Sequence, residues 1–339
     1  MVGYKGFRAD LTCRGMQYQI GKTVSVEGDL RMCVNGLHFC KNPLEVFCFY
    51  EPSCGFRYAE VSTDGKVLSA DFGTKCCANS LKVERELTID GMLDAAKAWF
   101  SEHVEDAATV SNAVTAVLGT GLSDVFVINQ AKQYYVAPGG LGIGAGFQNC
   151  VVNYNGMAVT LGSTSLALCS ACYRSVAIAN GMASAAATNY PCCVAIAKRG
   201  QSVASTDGYC SVAVTHEPFS LAILNGSNST AMSLCGTSKV LVKHSALNSM
   251  VMAAGDVEVK APGCIVMLIK QDFRLHASIT AVAGTRLFIP IRFAEHAEYA
   301  YVEIVCGKDP EIWAADVETQ YFDIINSYLE KREKCTTGT

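Results

Sequence analysis

The sequence predicts a mainly β protein: a central parallel β-solenoid over residues 113–284, an N-terminal α+β module over 1–89 and a small C-terminal capping domain over 285–339. Two observations carry this prediction. Between residues 158 and 231 alanines recur every nine residues with a single spacing of ten, and the residue two places before nearly every one is serine, with Cys193 substituting once and Gly156 opening the series. The residues flanking each alanine are large and mostly aliphatic, as in Val176/Ile178, Val194/Ile196 and Val212/Val214. Side chains alternate across a strand, so each repeat is one short strand with a small face and a branched face.

The N-terminal module comes first in the chain and holds short alternating runs, such as Tyr58-Ala59-Glu60-Val61, among aromatic residues and turns. A linking helix over residues 90–112 follows. Met92, Leu93, Ala96, Trp99 and Phe100 fall at three- and four-residue spacing on one face of it, with Asp90 as the expected N-cap. The glycine run 139–146 lacks the strand–glycine–helix context of a dinucleotide site and the Gly-Lys-Ser/Thr ending of a phosphate loop, and is expected at solenoid turns.

Nine residues cannot close a coil, so two repeats make one of 18 residues with two unlike turns, the Asp207-Gly208 and Asn225-Gly226 steps supplying φ > 0. The preferred arrangement turns the Val/Ile rows inward and the Ser-Ala-Thr rows outward. The outward row, represented by Ser175, Ala177, Ser202, Ala204, Thr206, Ser211, Ala213, Thr215, Ser220 and Ala222, is then the expected oligomer interface, because small uniform side chains let sheets approach closely. The opposite arrangement, small residues inside a thin roll and aliphatics in a trimer core, also satisfies the alternation. The pattern continues more loosely through Met250/Met252, Val257/Val259, Val266/Leu268 and Leu275/Ala277. Beyond Gly284 a strand pair, Leu287–Ile291 with Tyr299–Val305, and a charged helix around 321–334 form the expected cap.

Composition narrows the functional classes. A chain of 339 residues with 17% charged residues has little charge to keep an isolated roll soluble, which predicts a homo-oligomer, expected to be a trimer. Net charge −4 without a Lys/Arg-rich run argues against nucleic acid as partner. No run of about 18 apolar residues and no signal-like start are found, and 17 scattered cysteines fit reduced thiols, so a cytoplasmic protein without a membrane span is expected. No cofactor and no metal are expected: His38 and Cys40 share a strand face, but no Cys-x-x-Cys pair accompanies them.

Tyr4-Lys5-Gly6-Phe7, Cys13-Arg14-Gly15-Met16-Gln17-Tyr18, Gly36-Leu37-His38-Phe39-Cys40 and Arg57-Tyr58-Ala59-Glu60-Val61 resemble, in this order, an uncharacterised module of tailed-bacteriophage and prophage proteins that is often followed by Ser-x-Ala repeats. The repeat motif Ser175-Val176-Ala177-Ile178 is similar to the left-handed β-roll of trimeric autotransporter adhesin heads, whose repeat length differs. The resemblance implies a phage-associated structural or interaction protein, made in the host cytoplasm, in which the roll displays or spaces the module; a place in the virion and contact with other phage structural proteins are left open by the sequence. The alternative is a phage effector whose module binds a nucleotide-like ligand. Lys5, Arg14, Tyr18 and His38, all supplied by these motifs, are the candidate anion or nucleotide pocket. The layout of the module is also similar to ADP-ribosyltransferase folds, but no late glutamate can be placed, so no catalytic residue is assigned.

Overall fold

The computed structural model describes residues 1–70, 74–103, 125–128, 134–137, 140–146, 148–153, 156–170, 173–269, 279–292, 299–306 and 311–313. The expected starts of the solenoid at 113 and the charged helix at 321–334, like Leu275/Ala277, lie outside them. The N-terminal module is a seven-stranded antiparallel sheet in the order Thr23–Ser25, Ser80–Leu87, Arg57–Ser62, Val2–Phe7, Leu37–Cys40, Lys75–Ala78, Val67–Ser69. One of its faces closes over Phe7, Tyr18, Phe39, Val61 and Leu81. The other receives a short 3-10 turn, Pro43–Cys48, and the helix Ile89–His103.

The helix presents the face its spacing predicts, with Met92, Ala96 and Phe100 fully buried and Leu93 nearly so. Its cap is not Asp90, however. Thr88 holds that place, its Oγ1 accepting from the Gly91 N–H at 3.2 Å, while Asp90 sits in the first turn and pairs with Lys243 of the solenoid.

The solenoid is two parallel sheets, an 11-stranded one and a 10-stranded one whose strands alternate along the chain. Register confirms the 18-residue coil: Ala186 pairs with Ala204 and Ala204 with Ala222 in one sheet, Ala177 with Ala195 and Ala195 with Ala213 in the other. Gly140–Gly144 forms a strand of the 11-stranded sheet, not a turn. The parallel stack runs on through Arg286–Arg292, which then pairs antiparallel with Tyr299–Val305 as the expected terminal strand pair.

The facing of the strands reverses the preferred arrangement. Ala177, Ser202, Ala204, Thr206, Ala213, Thr215 and Ser220 are fully enclosed within the roll, Ser175, Ser211 and Ala222 equally so, while Val176, Ile178, Val194, Ile196, Val212 and Val214 lie half-buried on the outside. The row expected to be an oligomer interface is therefore the interior of a thin roll and has no surface to offer a neighbour.

Hydrogen bonding explains why serine belongs inside. Ser202 Oγ donates toward the Gly181 and Gly200 carbonyls and accepts from the Ser184 N–H, and the Ser202 N–H in turn donates to Ser220 Oγ one coil on. The same ladder runs on the opposite edge through Ser211 and Ser229. Each hydroxyl thus satisfies turn amides and carbonyls that a closed roll would otherwise bury unpaired.

The turns differ from the expected chemistry as well. The left-handed residue is the one just before the buried serine, or before Cys193 in its place, in most repeats, among them Ala183, Cys192, Gln201, Cys210, Phe219 and Asn228, with φ between 51° and 60°. Gly208 is needed for another reason: a Cβ there would lie 2.0 Å from the Tyr190 carbonyl oxygen of the neighbouring coil. Beyond residue 240 the enclosed positions become larger, Val240, Val242, Val251, Val257, Val259, Val266 and Leu268, so the roll is filled by aliphatics there.

Candidate functional site

A cavity of about 440 Å³ opens in the N-terminal module beside the strands Val2–Phe7 and Leu37–Cys40. All four residues singled out from the sequence, Lys5, Arg14, Tyr18 and His38, line it. Lys5 projects from the central strand and is 4% exposed. Its ammonium donates to the His38 carbonyl at 2.9 Å and to Cys13 Sγ at 3.3 Å, and stands 5.4 Å from the ring centres of both Phe7 and Tyr18. Gly6 follows it because the Tyr50 ring packs against that point of the strand, where a Cβ would come within 2.3 Å. Tyr50 Oη in turn lies 3.0 Å from Cys13 Sγ.

Arg14 reaches the rim from a left-handed backbone position, φ 50°, and donates to the Cys33 carbonyl at 3.0 Å. His38 accepts the Cys33 N–H on Nε2 at 2.9 Å, which makes that nitrogen unprotonated. Sequence reasoning missed Lys75, whose ammonium lies 3.4 Å from Cys33 Sγ and 4.6 Å from the Phe49 ring centre. No local signal could have found it. Lys75 arrives through the antiparallel register that sets it opposite Cys40.

The electrostatics agree with this geometry. Burial pulls the Lys5 ammonium below its ordinary value, opposed by Cys13, and burial together with the positive charges of Lys75, Arg14 and Lys5 lowers His38 to about 4. His38 is thus neutral at neutral pH, and the basic side chains lining the cavity besides it are Lys5, Arg14 and Lys75. None of the residues lining it is Asp or Glu. Glu60, the acidic residue of the Ala-Glu-Val motif, pairs with Arg85 at 2.7 Å instead. Nearby, the buried Glu45 is engaged by Thr74, whose N–H donates at 2.7 Å. Among the described residues no group of three or more His, Cys, Asp or Glu side chains is placed to hold a metal ion.

A family model described as a domain of unknown function, DUF7666, matches residues 1–95, the part of the chain that builds this cavity and the first turns of the helix behind it. No curated protein and no solved structure matches the chain.

Proposed function

We propose that the N-terminal module is a receptor for a small anionic ligand bearing a flat ring, a nucleotide-like molecule, and that the solenoid is the rigid scaffold that carries it. The observation that carries this reading is the buried Lys5 ammonium, joined by Arg14 and Lys75 around a cavity without a carboxylate. A cation taken out of water without an opposite charge is costly, and a phosphate entering the cavity would supply that charge. Tyr18, Phe49 and Tyr50 offer aromatic surface beside it for a ring. Binding is favoured over ADP-ribosyl transfer because no lining carboxylate stands ready to polarise a ribose. The resemblance of the motif order of residues 4–61 to tailed-bacteriophage proteins supports a phage-associated setting for this receptor.

The test is calorimetric titration of the full chain with inorganic phosphate, AMP, ADP and ADP-ribose. The expected result is binding of a phosphorylated nucleoside in preference to phosphate alone, weakened by added salt and about tenfold or more in Arg14→Gln and Lys75→Gln. The reading fails if none of these ligands binds at millimolar concentration, or if both variants bind as the parent does.

A further inference from the structure

The two sheets of the solenoid share one interior but have different exteriors. On the 10-stranded sheet the outward residues Leu166, Val203, Leu221 and Ile223 are buried beneath the helix and the Pro43–Cys48 turn. Where the N-terminal module ends, near the contact of Ser53 Oγ with the Thr237 carbonyl, the Leu221 column continues into Lys239 and Asp256, and the Ile223 column passes through Leu241, still packed against the covered cluster, into Glu258. Charge thus enters both columns of this sheet within two strands of the last covered one.

The 11-stranded sheet does not follow that rule. Its outward column Ile143, Val159, Ile178, Ile196, Val214, Met232 continues into Met252 and Met267 without a charge, and the parallel column beside it includes one polar residue, Thr230. All are half-buried except Met250, which is 42% exposed. A charge appears at the next strand, where exposed Arg286 stands beside Ile265. Eight strands about 4.8 Å apart and four residues long make a flat apolar face of roughly 34 by 13 Å. Soluble monomers rarely leave so large an apolar patch bare, and parallel sheets are ordinarily covered on both faces.

We propose that this face packs against the same face of a second copy of the chain, sheet on sheet. A flat surface whose columns repeat from coil to coil is self-complementary under a two-fold operation. With side-chain relief the face would remove about 600 Å² or more of accessible surface from each copy, reaching the lower bound of stable interfaces. No charged group has to be desolvated to form it, since none lies in the two columns. The proposal is independent of the ligand reading, because the cavity lies in the module and the face on the far sheet of the roll.

Light scattering coupled to size-exclusion chromatography of the full chain tests it. The expected mass at micromolar concentration is twice the 36.2 kDa of one chain. Ile196→Lys should raise the dissociation constant by about a hundredfold or more by burying an unpaired charge. The pair Ile196→Thr with Val214→Thr keeps β-branched residues in the strands and should weaken assembly while leaving the circular dichroism of the roll unchanged, and it decides the matter if the lysine variant fails to fold. A wild-type chain of single-chain mass overturns the proposal, as does an assembly that persists unchanged in the folded double variant.

Discussion

The sheet that the N-terminal module covers and the sheet that no described element covers are built from the same repeat, yet their outward residues are under different control. Ile223 and Ile196 occupy equivalent outward positions one repeat-type apart. Ile223 is fully buried beneath the N-terminal module, and Ile196 is half-buried at the surface of the single chain. The repeat therefore fixes the interior, while the outward columns record what lies against them. The most direct way to break this comparison is to truncate both. Ile223→Ala should destabilise the chain by about 2–5 kcal/mol, and Ile196→Ala by less than about 1.5 kcal/mol within the chain. Denaturant unfolding at low protein concentration measures both, and equal costs would mean that the two exteriors are not distinct.

A second comparison sets the serine ladder against the outward rows. Ser202→Ala removes a hydroxyl while adding no bulk, and leaves the buried Ser184 N–H without its acceptor. A loss of about 1–3 kcal/mol is expected, more than for the far larger truncation at Ile196. If Ser202→Ala proved neutral, the ladder would not be what keeps serine in the repeat. Hydrogen exchange at the Ser184 amide gives a local readout of the same step.

These contrasts show what the sequence could reveal. The period of nine, the doubled coil, the amphipathic helix and the terminal strand pair were all legible, because each is a spacing along one chain. The facing of the strands was not. Alternation states that two faces differ and leaves open which one is enclosed, and the hydrophobic rule favoured Val and Ile inside. What reverses it is the hydrogen bonding of the turns: their buried amides and carbonyls need the serine hydroxyls, and serine lies on the same strand face as alanine. Most of the left-handed residues were equally hidden, since Ala183, Cys192, Gln201, Cys210 and Phe219 occupy positions where Gly or Asn would have been a signal, and Asn stands only at Asn228 and Asn248 among the later turns. In the module the motifs carried Lys5, Arg14, Tyr18 and His38 to one cavity, whereas Lys75 depended on strand pairing 35 residues away from Cys40 in the chain.

The smallest expected effect refines the interior itself, because its two polar rows are unlike. The hydroxyls of the serine ladder, such as Ser202 and Ser220, are paired, whereas Thr206 Oγ1 is buried with no hydrogen-bond partner among the described residues, as are Thr188 Oγ1, Thr215 Oγ1 and Ser233 Oγ of the same kind of row. Along the column that contains it, Thr188 and Thr206 are followed by Leu224, Val242 and Val259, so the later coils already place aliphatic residues at this point. Thr206→Val replaces a hydroxyl by a methyl of similar size, keeps the β-branch suited to the strand and relieves one unpaired polar group. Its stability should rise by about 1 kcal/mol, read as a higher midpoint in thermal unfolding, in contrast to the fall expected for Ser202→Ala just before the other end of the same strand. A destabilised Thr206→Val would show that the threonine hydroxyl is paired in solution and that both polar rows of the roll serve the same end.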